Sequence, residues 1–135
     1  MAGYSARPLI KKLGIKPEFS ILVFNAPKPY SEFFSEGSGE LNLVEKGSRD
    51  SIDFIHIFCL TKEELVESSN LAIPFLKKNG LLWVSWPKGN SGIKTELKRD
   101  PIREYLLSRG LVDVKVAAVD ETWSGLKFVY RLKDR

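Results

Sequence analysis

The apolar positions of this chain follow two periods. Residues 19–24 (FSILVF), 52–60 (IDFIHIFCL) and 81–86 (LLWVSW) are nearly continuous apolar runs, the pattern of strands covered on both faces. Leu65, Ala72, Ile73 and Leu76 instead recur at helical spacing, as do Ile102, Leu106 and Leu107. The pattern predicts three buried strands, a short strand at 41–44, and helices after residue 60 and over 99–109. The last block differs. Residues 111–119 and 126–132 are apolar-rich runs joined by DETWSG with no helix between them, which predicts an antiparallel hairpin.

Local signals set the boundaries. Ser5 is placed to cap a short helix with Pro8 in its first turn, Leu9, Ile10 and Leu13 on its apolar face, and Gly14 as its left-handed stop. GSG at 37–39 marks a turn. Thr61 and Glu64 in TKEE form a capping box. In the helix that follows, Pro74 is expected to make a kink, Lys77 and Lys78 to complement the dipole, and Gly80 to close the element. Residues 87–95 are a polar loop, and Gly110 stops the next helix.

Strands alternating with helices or short crossovers imply an α/β domain. Right-handed crossovers give a mostly parallel sheet covered on both faces, three layers in all, with the C-terminal antiparallel hairpin at or near one edge. The 135 residues fit a single domain, 1–135, with a core of its own. Ligands of such sheets bind beyond the carboxyl ends of the strands, where strand order reverses. Topology brings Asn25, Lys88, Asp120 and Trp123 to that edge.

Composition narrows the partners. No apolar run approaches the roughly 20 residues that span a bilayer, and the basic N-terminus lacks the apolar centre of a secretory signal, so no membrane partner and a cytoplasmic location are expected. The net charge of +4 is spread over Arg7, Lys11, Lys12 and Lys16 and over the stretch from Lys88 to Arg103, more dispersed than a patterned nucleic-acid site. With one histidine and one cysteine, neither a disulfide nor a zinc ligand set can be assembled.

LGIKPEFSILVFNAPKP resembles the opening of a class I S-adenosylmethionine-dependent methyltransferase, in which a Lys-Pro turn leads into the first strand and a GxGxG loop. FLKKNGLLWVSWP resembles the segment of that family in which a leucine, a lysine-proline and paired glycines lead into an apolar strand, and the closing hairpin is similar to the family's antiparallel last strand. MAGYS, KKLGIKP, WVSWPK, VDVK and DETWSGLKFV together resemble a bacterial family of short proteins described only as a domain of unknown function. These resemblances imply a Rossmann-like, methyltransferase-like fold and supply no activity.

Laid along the methyltransferase pattern, the three glycines fall on Asn25, Pro27 and Pro29, with Ala26 between. Proline fixes φ and removes an N–H, so the loop loses two donors and the freedom to wrap a ligand. S-adenosylmethionine is disfavoured and no cofactor is expected; the loop is either a rigid turn or a site for another ligand. Glu45, about twenty residues after Asn25, falls at the kind of position a ribose-binding acid occupies in that family, but one acid at a strand end reads first as a solvated surface residue. Val23 stands where the family commonly has a strand-one carboxylate. His56, mid-strand, reads as a core histidine and Cys59 as a buried thiol, so no catalytic residue is named.

Two further stretches attract attention. Trp83 and Trp86 point to opposite faces of a regular strand, and Trp86 at the exit, beside Lys88 and a Gly/Ser loop, can hold an anion or a planar group. In DETWSG, Trp123 either folds back over the sheet end or meets a partner, and Asp120 or Glu121 can pair with Lys88. The sequence thus supports a non-catalytic domain binding an unidentified small molecule or protein on a degenerate methyltransferase-like fold. A divergent methyltransferase and a weak nucleic-acid-associated module are the alternatives.

Overall fold

The computed structural model describes residues 8–34 and 41–135. The cap at Ser5 and the turn at 37–39 lie outside the described residues. Elements run α1 (Leu9–Leu13), β1 (Ser20–Phe24), β2 (Asn42–Leu43), β3 (Ile52–Phe58), α2 (Lys62–Ala72), β4 (Leu76–Pro87), α3 (Arg99–Ser108), β5 (Leu111–Ala118) and β6 (Trp123–Tyr130), with a short 3-10 turn at Tyr30–Phe33. The six strands form one sheet in the order β2-β1-β3-β4-β6-β5. Strands β2, β1, β3 and β4 are mutually parallel, and β6 runs antiparallel between β4 and β5. The chain leaves β1 for one side and returns as β3 on the other, so strand order reverses between β1 and β3.

Two apolar layers sandwich the sheet. On one face α2 and α3 bury Leu65, Ala72, Ile102 and Leu106 against Ile55, Ile57, Leu82 and Val84. On the other, α1 and the 3-10 turn bury Leu13, Tyr30, Phe33 and Phe34 against Phe54, Phe58 and Trp83. Trp83 and Trp86 do face opposite layers. Gly14 closes α1 at φ 87°, and Gly110 follows α3 at φ 95°.

Two boundaries differ from expectation. Pro74 ends α2 rather than kinking it. The last helical donor is the Ile73 N–H, bonded to Ser69 O, and Pro74 has none to offer the next carbonyl. The chain passes through a 3-10 turn at Ile73–Phe75 directly into β4. Lys77, Lys78 and Gly80 are therefore strand residues. Lys77 pairs with Asp53 at 3.0 Å instead of meeting a helix dipole. Between the pairs Ile52↔Leu76 and Phe54↔Leu81, five steps along β4 oppose two along β3. Gly80 lies in this irregularity, where a Cβ would stand 2.9 Å from the Asp53 carbonyl oxygen. The hairpin turn is also tighter than DETWSG. Asp120 Oδ1 accepts from the backbone N–H groups of Thr122 at 2.9 Å and Trp123 at 2.8 Å, so β6 already begins at Trp123.

Candidate functional site

The loop after β1 begins with Asn25 at φ 59°, a left-handed conformation that asparagine tolerates better than most residues. Its side-chain Nδ2 donates to Phe58 O and to Ser68 Oγ, both at 3.1 Å. One amide thus ties the end of β1 to the end of β3 and to α2, across the point where strand order reverses. Asn25, Ala26, Pro27, Lys28 and Pro29 are exposed, and then the chain dives inward. Replacing Asn25 with Ala removes both bonds and leaves a left-handed alanine, at an expected cost of about 2 kcal/mol. Asn25→Gly, which keeps the backbone unstrained, is expected to cost less than the alanine, with urea unfolding of the two variants as the measurement.

Beneath this loop the space is filled by aromatic rings. Tyr30 Oη shares a 2.7 Å hydrogen bond with His56 Nδ1, and His56 Nε2 shares one of 2.8 Å with Ser85 Oγ. His56 stacks on Phe58 with centroids 4.3 Å apart, and Phe58 meets Trp123 edge-on at 5.2 Å. Burial pushes the His56 pKa down to about 3 and raises Tyr30 well above its ordinary value. The imidazole is a neutral structural link, as its mid-strand position suggested. Cys59 is likewise buried, and burial followed by the Glu64 charge pushes its thiol up to about 12, which keeps it protonated at neutral pH.

The turn between β5 and β6 closes over the same end. Lys88 N–H donates to Thr122 O at 2.8 Å, and Pro87 pairs with Trp123. Trp123 is buried, so it folds back over the sheet rather than standing in solvent. The expectation that Asp120 or Glu121 pairs with Lys88 is not met at Asp120. Asp120 lies 4.0 Å from Lys28, whose ammonium also sits 4.5 Å over the Phe33 ring.

A cavity of ≈ 810 Å³ opens one strand further along, beyond the carboxyl ends of β3 and β4. Trp86, Lys88, Leu60, Ile93 and Lys98 are among its lining residues. Its outer wall is pinned in place. Thr95 Oγ1 donates to Leu60 O at 2.6 Å, and Glu96 Oε2 accepts from the Lys62 N–H at 2.8 Å, satisfying the first turn of α2 from outside. Thr61 and Glu64 complete that cap: Thr61 Oγ1 accepts from Glu64 N–H, and Glu64 Oε1 reaches back to Leu60 N–H.

Of the residues singled out in the sequence, Trp86 and Lys88 share the cavity, Asp120 and Trp123 share the neighbouring turn, and Asn25, Ala26 and Pro27 lie in the loop facing that turn. Glu45 stands apart, exposed just after the edge strand β2. Sequence reasoning missed Tyr30, Ser85, Thr95 and Glu96. Only Tyr30 carries a local signal, an aromatic set directly after Pro-Lys-Pro. Among the described residues no cluster of three His, Cys, Asp or Glu could hold a metal, and no helix is long and apolar enough to cross a membrane.

No family model matches the chain, and no curated protein does. Solved structures do share its architecture. A SAM-dependent methyltransferase from Aquifex aeolicus superposes with a TM-score of 0.62 at 14% identity, over 89% of this chain and 86% of that one. A putative type 11 methyltransferase from Sulfolobus solfataricus gives 0.58 at 12% identity, over 91% and 89%. The Haloferax volcanii complex of the Trm112 methyltransferase activator with a putative methyltransferase gives 0.60 at 9% identity, over 90% and 86%. With its central parallel strands and inserted antiparallel β6, this chain has the Rossmann-like fold of the class I methyltransferases.

Proposed function

We propose that this chain is a non-catalytic binding domain on a degenerate methyltransferase-like fold, with its ligand in the cavity beyond β3 and β4. The observation that carries this is the Asn25 amide bonded across to Phe58 O and Ser68 Oγ. At the corner where a glycine loop would cradle a cofactor, the polar group is spent on the protein itself. Pro27 and Pro29 offer no N–H, and Tyr30, Phe33 and Phe34 pack below. The residues at the end of β1 therefore do not fit S-adenosylmethionine. The cavity combines the Trp86 ring with the Lys88, Lys94 and Lys98 cations, a lining suited to a planar, anionic small molecule.

Two titrations test this. Calorimetry with S-adenosylmethionine and S-adenosylhomocysteine is expected to show no saturable binding; micromolar affinity for either would overturn the proposal. The aromatic anionic dye anilinonaphthalenesulfonate is expected to bind the native protein with quenching of tryptophan emission. Trp86→Ala and Lys88→Gln are each expected to weaken it by about tenfold, equivalent to about 1.4 kcal/mol.

A divergent methyltransferase is the second reading, favoured by the fold neighbours, which are described as methyltransferases. The same cofactor titration decides between the two. A protein partner would engage the same edge: Ile93 is 40% exposed at the cavity, and one fold neighbour is a methyltransferase complexed with an activator protein.

A further inference from the structure

The hairpin sets two lysines against each other. Lys115 of β5 and Lys127 of β6 are register partners, directly opposite across an antiparallel pair, where like charges are destabilising. The Lys127 ammonium also reaches α1, since a Cβ added to Gly14 would stand 3.6 Å from its Nζ. Two residues before Gly14, α1 carries Lys12. Lys88 enters from the end of β4, held to the hairpin turn through its bond to Thr122 O. All four lysines are half-buried.

Burial and mutual repulsion act on these lysines together. The Lys12 pKa lies below its ordinary value through burial and then through the Lys88 and Lys115 charges, and that of Lys127 through burial and then Lys115. Lys115 is the charge common to both. Positions 12, 88, 115 and 127 are far apart in sequence, and the fold gathers them around one strand pair. A surface that merely solvates its cations spreads them; here they converge.

We infer that this face, formed by α1 and the β5–β6 hairpin, binds a compact polyphosphate group, with Lys115 and Lys127 at its centre and Lys12 and Lys88 at its margins. Compactness follows from the geometry: charges focused on one strand pair suit several phosphates in close succession. The nearby tryptophans Trp83 and Trp123 are buried and offer no platform for stacking nucleic-acid bases. The inference goes beyond the cavity proposed above, from which Lys12, Lys115 and Lys127 are absent.

Calorimetry with tripolyphosphate at low ionic strength is the test. One-to-one binding is expected, weakening as salt rises. Lys115→Gln and Lys127→Gln should each weaken it by about tenfold, equivalent to about 1.4 kcal/mol, whereas the exposed Lys133→Gln, with the same charge change, should leave it unaltered. In the absence of anion, Lys115→Gln should raise the melting temperature, because it removes the repulsion at the centre of the cluster. Absence of saturable tripolyphosphate binding at low salt would overturn the inference, as would equal weakening by all three variants. Tighter binding to a duplex oligonucleotide than to tripolyphosphate would replace the compact site with an extended nucleic-acid surface.

Discussion

Trp83→Ala is expected to destabilise the protein by about 3–5 kcal/mol, the largest single-residue effect in the fold. Trp83 is fully buried, and its Nε1 donates to Leu13 O at 2.9 Å across 70 residues of sequence. Truncation opens a cavity between the sheet and α1 and leaves the Leu13 carbonyl without its donor. Trp83→Phe keeps an aromatic ring but loses part of the indole volume along with the bond, and should cost less than the alanine, about 1–3 kcal/mol. Gly125 gives an independent check from the opposite strand. A Cβ there would stand 2.9 Å from Trp83 Cε3, so Gly125→Ala should cost about 1–3 kcal/mol by overpacking. In the double variant Trp83→Ala with Gly125→Ala, the added methyl enters the vacated space, and the combined cost should fall below the sum. Urea unfolding of the four variants measures this. A loss below about 1 kcal/mol for Trp83→Ala would mean that α1 is held to the sheet by something else.

That bridge between α1 and the sheet could not be read from the sequence, although nearly everything around it could. The continuous apolar runs gave the buried strands because a strand covered on both faces has no polar side to show. The capping box at Thr61 and the stops at Gly14 and Gly110 were legible because each rests on backbone chemistry confined to a few neighbouring residues. What went astray depended on distant partners. Leu76 continued the helical spacing of Leu65 and Ala72 only because it is buried in the same layer, as the first residue of β4. Lys77 suited a helix end until the structure supplied Asp53.

The site divides in the same way. Topology alone carried Asn25, Lys88, Asp120 and Trp123 to the carboxyl edge, since Asn25 and Lys88 follow β1 and β4, and Asp120 and Trp123 belong to the turn between β5 and β6. The substitution of glycines by Asn25, Pro27 and Pro29 was equally plain. How Asn25 then spends its amide depends on Ser68, 43 residues away, and the cavity wall depends on Glu96 reaching Lys62 across 34 residues. No local pattern records either contact. The lysine cluster is a stronger case: its members lie in four different elements or their ends, and only the sheet order brings them together.

Acid is expected to unfold this protein from an unusually mild pH, because of one residue. His56 has its pKa lowered from 6.5 to about 3 by burial. In the unfolded chain it takes up a proton near pH 6.5; in the folded protein it does not until about pH 3. Between those values the unfolded state holds the extra proton. The stability associated with neutral His56 is therefore complete above about pH 6.5 and falls by about 1.4 kcal/mol for each pH unit below it. Asp53, whose carboxylate pKa is lowered against the opposing effect of burial by bonds from Ser20 and Lys77, gives up its own contribution only below its ordinary value of 3.8, outside the upper part of this window. Urea titrations from about pH 7.5 to about pH 5 isolate the histidine. His56→Gln should be less stable at the upper limit, because the bonds to Tyr30 and Ser85 are disturbed, yet nearly flat where the parent declines, so the two curves converge as the pH falls. A parent curve that stays flat, or an equal slope in the variant, would show that His56 takes up its proton inside the folded protein. That outcome would reopen acid–base chemistry at this residue. Convergence would instead fix it as a neutral link under the Asn25 loop, in agreement with a domain that binds at this edge and does not react there.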